Sequence, residues 1–173
     1  RLDRLVVKNY RALRDVELKE INPLTVFVGP NGSGKSTIFD VFAFLLECFT
    51  IGVRPAVEKR HQFRELRTRD ETGPIVFELT YQEPGFPKIT YHLAIDENPK
   101  GPYVAEEWLQ WRHKEHGRPF KFLDFREGMG QVMSGDMPDE QDQRIDERLT
   151  APDMIAVNTL GQLARHPRIS ALR

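Results

Sequence analysis

Residues 29–37 read Gly-Pro-Asn-Gly-Ser-Gly-Lys-Ser-Thr and match the phosphate-binding pattern G-x-x-x-x-G-K-[ST] at every required position. The glycines let consecutive backbone amides turn inward around phosphates, Lys35 reaches the β and γ phosphates, and the Ser36 hydroxyl can ligand magnesium. A helix that begins there adds its positive end. The run therefore predicts a nucleoside triphosphate site, called the P-loop below.

The segments on both sides of the P-loop fit a strand–loop–helix unit. Residues 24–28 (Leu-Thr-Val-Phe-Val) are β-branched and aromatic, which predicts a buried parallel strand. Residues 38–49 are apolar around most of a helical surface, which predicts a helix buried beside a sheet. The alternative is a glycine turn that binds nothing, and it is disfavoured because Lys35 and Ser36 are both in register.

Composition predicts one globular domain of one or two lobes, since the 173 residues are 39% hydrophobic and 29% charged. No apolar run approaches the roughly 20 residues of a membrane span, and the start has no signal-peptide pattern. We therefore expect a soluble, cytoplasmic protein with no membrane partner. The single cysteine, Cys48, excludes an internal disulfide and is expected to be a core thiol.

Charge is unevenly placed, although the net charge is only −1. Residues 54–72 are rich in arginine, which predicts either a contact surface for a phosphate backbone or a solvated face balanced by its own acids. We favour the second interpretation. Residues 136–148 are acidic and lie beside Gly135 and Pro138, which indicates a surface loop.

Alternating apolar residues predict strands over much of the chain. Residues 5–9 and 16–18 indicate two early strands, and residues 75–81 and 89–95 indicate an antiparallel hairpin. Two further strands, at 103–112 and 120–125, complete a predicted four-stranded meander. The run from Phe120 to Asp124 has an apolar stretch before an aspartate, but Lys121 interrupts it, so we assign it to the meander.

Three motifs together resemble a known family: Asn9-Tyr10-Arg11-Ala12-Leu13, Asn22-Pro23-Leu24-Thr25-Val26 and the P-loop itself. They resemble the RecF/SMC-like branch of ABC ATPases, and most of all its stand-alone ATPases, often called AAA-type. The resemblance implies an α/β fold, a P-loop NTPase (ABC-ATPase-like) lobe with an antiparallel β meander.

The resemblance also divides the chain. Residues 1–173 would be the amino-terminal part of an ATPase head, with five segments: early strands, P-loop and helix (1–50), a basic connector (51–74), the meander (75–127), an acidic loop (128–153) and a Q-loop-like segment (154–173).

ATP and Mg²⁺ are the ligands that the resemblance implies. Its nucleotide-binding residues would be Gly29, Pro30, Asn31, Gly32, Ser33, Gly34, Lys35, Ser36, Thr37 and Arg11. Lys35 would act in catalysis, Ser36 would hold magnesium and Thr37 would lie near the α-phosphate. Arg11 matches a basic residue near the nucleotide, with an ordinary surface arginine as the alternative.

Residues 154–162 resemble a strand leading to a Q-loop, whose glutamine meets magnesium and the attacking water. Gln162 is therefore a second catalytic and metal-binding candidate, with a plain polar helix start as the alternative. No convincing Walker B strand, signature loop or switch histidine occurs in the sequence. We accordingly expect the amino-terminal portion of a longer ATPase, whose hydrolysis needs a carboxyl-terminal lobe and dimerisation.

Two functional hypotheses follow. In the first, two heads form a homodimer around ATP, and hydrolysis drives a conformational switch that acts on DNA or on an effector such as a nuclease. In the second, nucleotide occupancy regulates a protein partner with little turnover. An ABC transporter subunit fits the motif at residues 9–13 less well, and a small GTPase is disfavoured because no Asn-Lys-x-Asp occurs. A kinase stays possible, and the pathway, DNA repair or another, is left open.

Overall fold

A computed structural model describes residues 1–82, 88–112, 119–133 and 144–160. Its strands are β1 (Leu2–Tyr10), β2 (Leu13–Lys19), β3 (Ile75–Tyr81), β4 (Lys88–Asn98), β5 (Gly101–Arg112), β6 (Phe120–Arg126), β7 (Met129–Met133) and β8 (Arg144–Arg148). Its helices are α1 (Lys35–Ile51), α2 (Val53–Glu58), α3 (Phe63–Leu66) and α4 (Ala156–Leu160).

All eight strands form one antiparallel sheet in the order β2-β1-β3-β4-β5-β6-β7-β8. From β3 onward each strand pairs with the next along the chain, as the alternating sequence pattern predicts. β1 breaks the chain order of the sheet because it lies between β2 and β3, so that β1 and β3 pair although they are not consecutive. Val7, for example, is paired with Val16 on one side and Phe77 on the other. The chain between β2 and β3, which contains the P-loop and three helices, therefore connects the edge strand β2 to the far side of β1.

One hydrophobic core joins the helices to the sheet. Leu5 and Val7 on β1 and Phe77 on β3 are fully buried and belong to this core. The ring of Tyr10 lies 5.6 Å from that of Phe44 on α1 and 5.5 Å from that of Phe77 on β3. These aromatic contacts fix α1 against β1 and β3. In the part of the chain described here, no helix is long and apolar enough to cross a membrane.

The early strands, the helix after the P-loop and the four-stranded meander are confirmed. So is the core position of Cys48, where burial raises the pKa of the thiol to about 12. The acidic surface loop expected at 128–153 is wrong in part. Residues 129–133 and 144–148 are β7 and β8, which extend the meander, and residues 134–143 lie outside the described residues.

The predicted parallel strand at residues 24–28 is wrong. The segment belongs to no strand, and Leu24, Val26 and Val28 are 84%, 73% and 91% exposed. Only Phe27 turns inward, with its ring 5.8 Å from that of Phe39 on α1. A strand needs a neighbour for its backbone N–H and C=O groups, and the described strands pair only with one another. All of them run antiparallel, so the α/β class holds without the expected parallel sheet.

The predicted strand that leads to a Q-loop is also wrong, since residues 156–160 form the short helix α4, and Gln162 lies outside the described residues. α4 is held by Glu107 on β5, which is fully buried. The Glu107 carboxylate accepts hydrogen bonds from the backbone N–H of Ala156 (2.5 Å) and Val157 (2.9 Å) and from the Tyr91 hydroxyl (3.1 Å). These bonds favour a helix over a strand because they satisfy the free donors of its first turn.

Burial raises the pKa of Glu107 to about 7, from an ordinary value of 4.5, although the three hydrogen bonds oppose the shift. Between these values the folded chain holds a proton that the unfolded chain has released, so stability falls as pH rises. Over this range we expect the free energy of unfolding to drop by about 3 kcal/mol more in the native chain than in Glu107→Gln. Urea unfolding of both proteins from pH 4.5 to 7.5 measures the difference, and parallel profiles would contradict it.

Candidate nucleotide-binding site

The P-loop has the backbone that its glycines predict. Gly32 (φ 82°) and Gly34 (φ 90°) lie in the left-handed region, which only glycine adopts without strain. Gly34 is the N-cap of α1, no side chain caps that end, and no acidic residue lies in the first turn. The free N–H groups and positive end of a 17-residue helix therefore open directly onto the loop. This arrangement fits a bound phosphate chain.

Lys35 lies across the P-loop. Its ammonium group donates to the carbonyl oxygens of Gly29 (2.7 Å) and Pro30 (2.6 Å), and it is 3.4 Å from the Ser33 hydroxyl. All three partners are exposed. The ammonium can thus exchange these oxygens for phosphate oxygens without leaving the loop. Ser36 and Asn31 are exposed beside it, and Thr37 is half-buried.

Two glycines of the P-loop also have close neighbours that leave little room for a side chain. A Cβ at Gly29 would lie 2.9 Å from the Ser33 hydroxyl oxygen, and a Cβ at Gly34 would lie 3.1 Å from Leu13 Cδ2. Leu13 begins β2, so the β1–β2 hairpin packs directly against the end of the P-loop. A side chain at Gly29 would displace the Ser33 hydroxyl, and one at Gly34 would be strained by the positive φ angle as well as crowded by Leu13.

Arg11 lies in the turn between β1 and β2 with φ 50°. Its backbone N–H donates to the Leu66 carbonyl (2.6 Å), and its Nε lies 3.3 Å from Asp40 Oδ2 on α1. The structure therefore places Arg11 beside the P-loop helix, in the region that the family resemblance implies. Its contact with a nucleotide stays a prediction.

The Asp40 carboxylate is contacted by three donor side chains. It accepts from the Tyr10 hydroxyl (2.6 Å) and from Arg60 Nε (3.2 Å) and Nη2 (3.1 Å), in addition to its contact with Arg11. Arg60 also pairs with Glu47, and this bond holds the pKa of the Glu47 carboxyl below its usual value. Burial and the Asp40 hydrogen bond raise the pKa of Tyr10. The phenol therefore stays a donor to Asp40.

The cluster around Asp40 was not predicted from the sequence, although the sequence contains one indication of it. Asp40 is the one acidic residue in the otherwise apolar stretch from Ile38 to Leu46. A carboxylate on the packed side of a helix needs donors, and Tyr10 and Arg11 of the family motif supply two of them. The motif thus has a structural role as well as the predicted functional one.

The basic residues of the segment at 54–72 are largely paired with acids, as the favoured interpretation expects, but most of these acids lie outside the segment rather than within it. The pairs are Arg54 with Asp153, Lys59 with Glu47, Arg60 with Asp40 and Glu47, Arg64 with Glu65, and Arg67 with Asp96. Arg64 is among the more exposed of these, with 74% of its side chain accessible. Exposed pairs of this kind contribute little to stability.

An open cleft of about 500 Å³ lies between this segment and the β1–β2 turn. Its lining residues are Arg11, Arg60, His61, Gln62, Arg64 and Glu65. Among the described residues, no three His, Cys, Asp or Glu side chains gather to hold a metal ion.

A family model described as AAA ATPase domain matches residues 1–146. The chain belongs to the AAA ATPase domain family. A segment of 45 residues is also 51% identical to the OLD nuclease of Thermus scotoductus (strain ATCC 700910 / SA-01). That segment is 26% of this chain and spans 8% of the relative's length. The family match supports the ATPase assignment made from the P-loop at a coarser level than the RecF/SMC-like branch.

Replacement of Asp40 should destabilise this AAA ATPase domain. Asp40→Asn removes the charge that Arg60, Arg11 and the Tyr10 hydroxyl share, so we expect the free energy of unfolding to fall by about 2 kcal/mol. Asp15→Asn is the matched control because Asp15 makes only an exposed pair with Lys8 at 3.6 Å, and it should change stability by less than about 0.5 kcal/mol. Denaturant unfolding measures both, and equal effects would show that the Asp40 cluster adds nothing.

Proposed function

We propose that the chain binds ATP with Mg²⁺ at residues 29–37, and that hydrolysis in a dimeric protein drives a conformational switch that acts on DNA or an effector. The observation that carries the proposal is the position of Lys35. Its ammonium lies within a glycine loop that opens onto the uncapped N-terminus of α1. Membership of the AAA ATPase domain family supports the same chemistry.

Each residue has a distinct role in the proposal. Lys35 neutralises the charge that develops on the β and γ phosphates, Ser36 ligands Mg²⁺, and Thr37 contacts the α-phosphate. Backbone N–H groups of the P-loop hold the phosphate oxygens. Arg11 lies near the nucleotide, and Gln162 orients the attacking water and contacts Mg²⁺.

The finer family assignment is part of the proposal. In the RecF/SMC-like branch two ATP-bound heads face one another, so we propose a homodimer that traps ATP between its subunits. Residues 1–173 would form the amino-terminal part of each head, with the general base and signature loop supplied by another lobe. The OLD nuclease is one named relative of this chain. Its name supports a nuclease or DNA as the target. A cytoplasmic setting is a further part of the proposal.

Lys35→Ala should strongly weaken ATP binding. The variant loses two or more charge-assisted hydrogen bonds to phosphate, for which we expect about a 100-fold loss of affinity. Calorimetric titration with ATP and with GTP, each with Mg²⁺, measures the change. Lys19→Ala is the control because Lys19 is an exposed lysine on β2 that pairs with Glu17. Equal ATP affinity in native protein and Lys35→Ala would reject the P-loop assignment.

ATP should also drive self-association of the complete protein. Sedimentation velocity with ATP and Mg²⁺ is expected to show a dimer that dissociates when the nucleotide is removed and that Lys35→Ala does not form. A nucleotide-controlled binding module with little turnover is the alternative. ATP hydrolysis that DNA stimulates supports the switch, whereas nucleotide-dependent partner binding without turnover supports the module.

A further inference from the structure

Glu107 is a fully buried carboxylate on the interior strand β5, and it lies under α4. It accepts hydrogen bonds from the backbone N–H groups of Ala156 and Val157 and from the Tyr91 hydroxyl. All three donors are uncharged, and among the described residues no Lys or Arg side chain pairs with Glu107. An ionised carboxylate at this position therefore has no counter-ion, which is costly away from water.

The elements packed around Glu107 bring no charge to it. On β4 and α1 the titratable groups are Tyr91 and Cys48, and burial raises the pKa of both, so both stay neutral. α2 also packs on β5, but its Arg54 pairs with Asp153 instead. The residue of β6 that pairs with Glu107 is aromatic, and α4 has no titratable side chain. Ionisation of Glu107 is thus not offset by a neighbouring cation.

α4 is the weakest of the elements that cover Glu107. It has five residues, and a helix so short is not stable without contacts to the rest of the fold. Those contacts are its two bonds to Glu107, a bond from the Asn158 side chain to the Phe49 carbonyl (2.9 Å) and the burial of three of its apolar side chains. β4 and β5, in contrast, each pair with a strand on both sides. Local opening of the fold around Glu107 would therefore begin at α4.

We propose that α4 is a pH-sensitive element of the fold, which is docked on the sheet while Glu107 is protonated and is released when Glu107 ionises. Burial raises the pKa of Glu107 to about 7, from an ordinary value of 4.5. Release of α4 lets water reach the carboxylate, so ionisation favours the released state. Docking is therefore strongest below the lower of these values, weakens as pH rises between them, and weakens no further above pH 7.

Release of α4 also affects the end of α1 that lies away from the P-loop. Phe49 is in the last turn of α1, where backbone carbonyls have no partner within the helix, and Asn158 is the donor to its carbonyl. The Phe49 ring also lies 5.6 Å from that of Tyr91, which bonds Glu107. The state of Glu107 is thereby linked to the helix that begins at Lys35. The proposal does not depend on what the P-loop binds.

Hydrogen–deuterium exchange measured by mass spectrometry from pH 5 to pH 7.5 tests the proposal. Each exchange rate is divided by the intrinsic rate of the same peptide at the same pH, so that only opening of the fold is compared. Peptides with residues 156–160 report on α4, and peptides from β5 report on the sheet. Glu107→Gln is the variant that stays neutral at every pH. Glu106→Gln is the matched control, because Glu106 is the neighbouring residue of β5 and forms an exposed pair with Arg126.

We expect opening of α4 in the native chain to increase about 50-fold from pH 5 to pH 7.5, because the released state ionises more readily by the difference between the two pKa values. Glu107→Gln should change by less than about threefold over this range, and Glu106→Gln should follow the native chain. Opening of α4 should also exceed that of β5 at every pH. It should be insensitive to 1 M urea, since release of one short helix exposes little surface, whereas opening of β5 should increase.

Asn158→Ala gives a second check that does not alter a titratable group. Loss of the bond to the Phe49 carbonyl should raise opening of α4 about fivefold at every pH and leave its pH dependence as in the native chain. If Glu107→Gln does not fold, the native profile and Asn158→Ala decide the question.

Three results would overturn the inference. A native profile without a rise would show that ionisation of Glu107 does not release α4. A rise in Glu107→Gln equal to that of the native chain would assign the pH dependence to another group. Equal opening of α4 and β5, with equal dependence on urea, would show that α4 opens only when the whole fold unfolds.

Discussion

The Asp40 carboxylate joins the three parts of the chain on which the candidate site depends. Tyr10 and Arg11 reach it from the β1–β2 hairpin, Arg60 reaches it from the connector, and Asp40 itself lies on α1 just beyond the P-loop. Because one carboxylate serves all of these donors, the hairpin and the connector cannot move independently of the P-loop helix. Both walls of the open cleft between the β1–β2 turn and the arginine-rich segment are thereby fixed relative to the residues expected to hold phosphate. Such advance positioning lowers the entropic cost of binding a ligand.

Features that depend on local chemistry were predictable from the sequence. Gly32 and Gly34 of the P-loop adopt the positive φ angles that glycine permits. The alternating residues of 75–81 and 89–95 form strands, and the long apolar run after Lys35 forms a helix. β8 was missed because Arg-Ile-Asp-Glu-Arg has a single apolar residue. β8 lies at the edge of the sheet, where a strand can consist largely of charged residues. Charged residues at an edge also discourage pairing with other molecules.

Features that depend on a partner elsewhere in the fold were not predictable. Residues 24–28 have the composition of a buried strand. Composition shows that a segment can pair, but it does not show whether a neighbouring strand is available. α4 contains Val157 and Thr159, which favour strands, yet Glu107, far away in sequence, caps it as a helix. The ion-pair cluster around Asp40 likewise draws on residues 10, 11, 47 and 60, whose proximity only the fold creates. Long-range pairing of this kind leaves no periodic signature.

The position of β1 between β2 and β3 also bears on how the chain reaches its native state. Every other neighbouring pair in the sheet consists of strands that follow one another along the chain and lie close together in sequence. The β1–β3 ladder must instead close a loop that contains the P-loop and three helices. Closure of so long a loop is slow, since its entropic cost precedes any reward from contacts. The topology therefore favours early formation of the meander and later docking of β1 against β3.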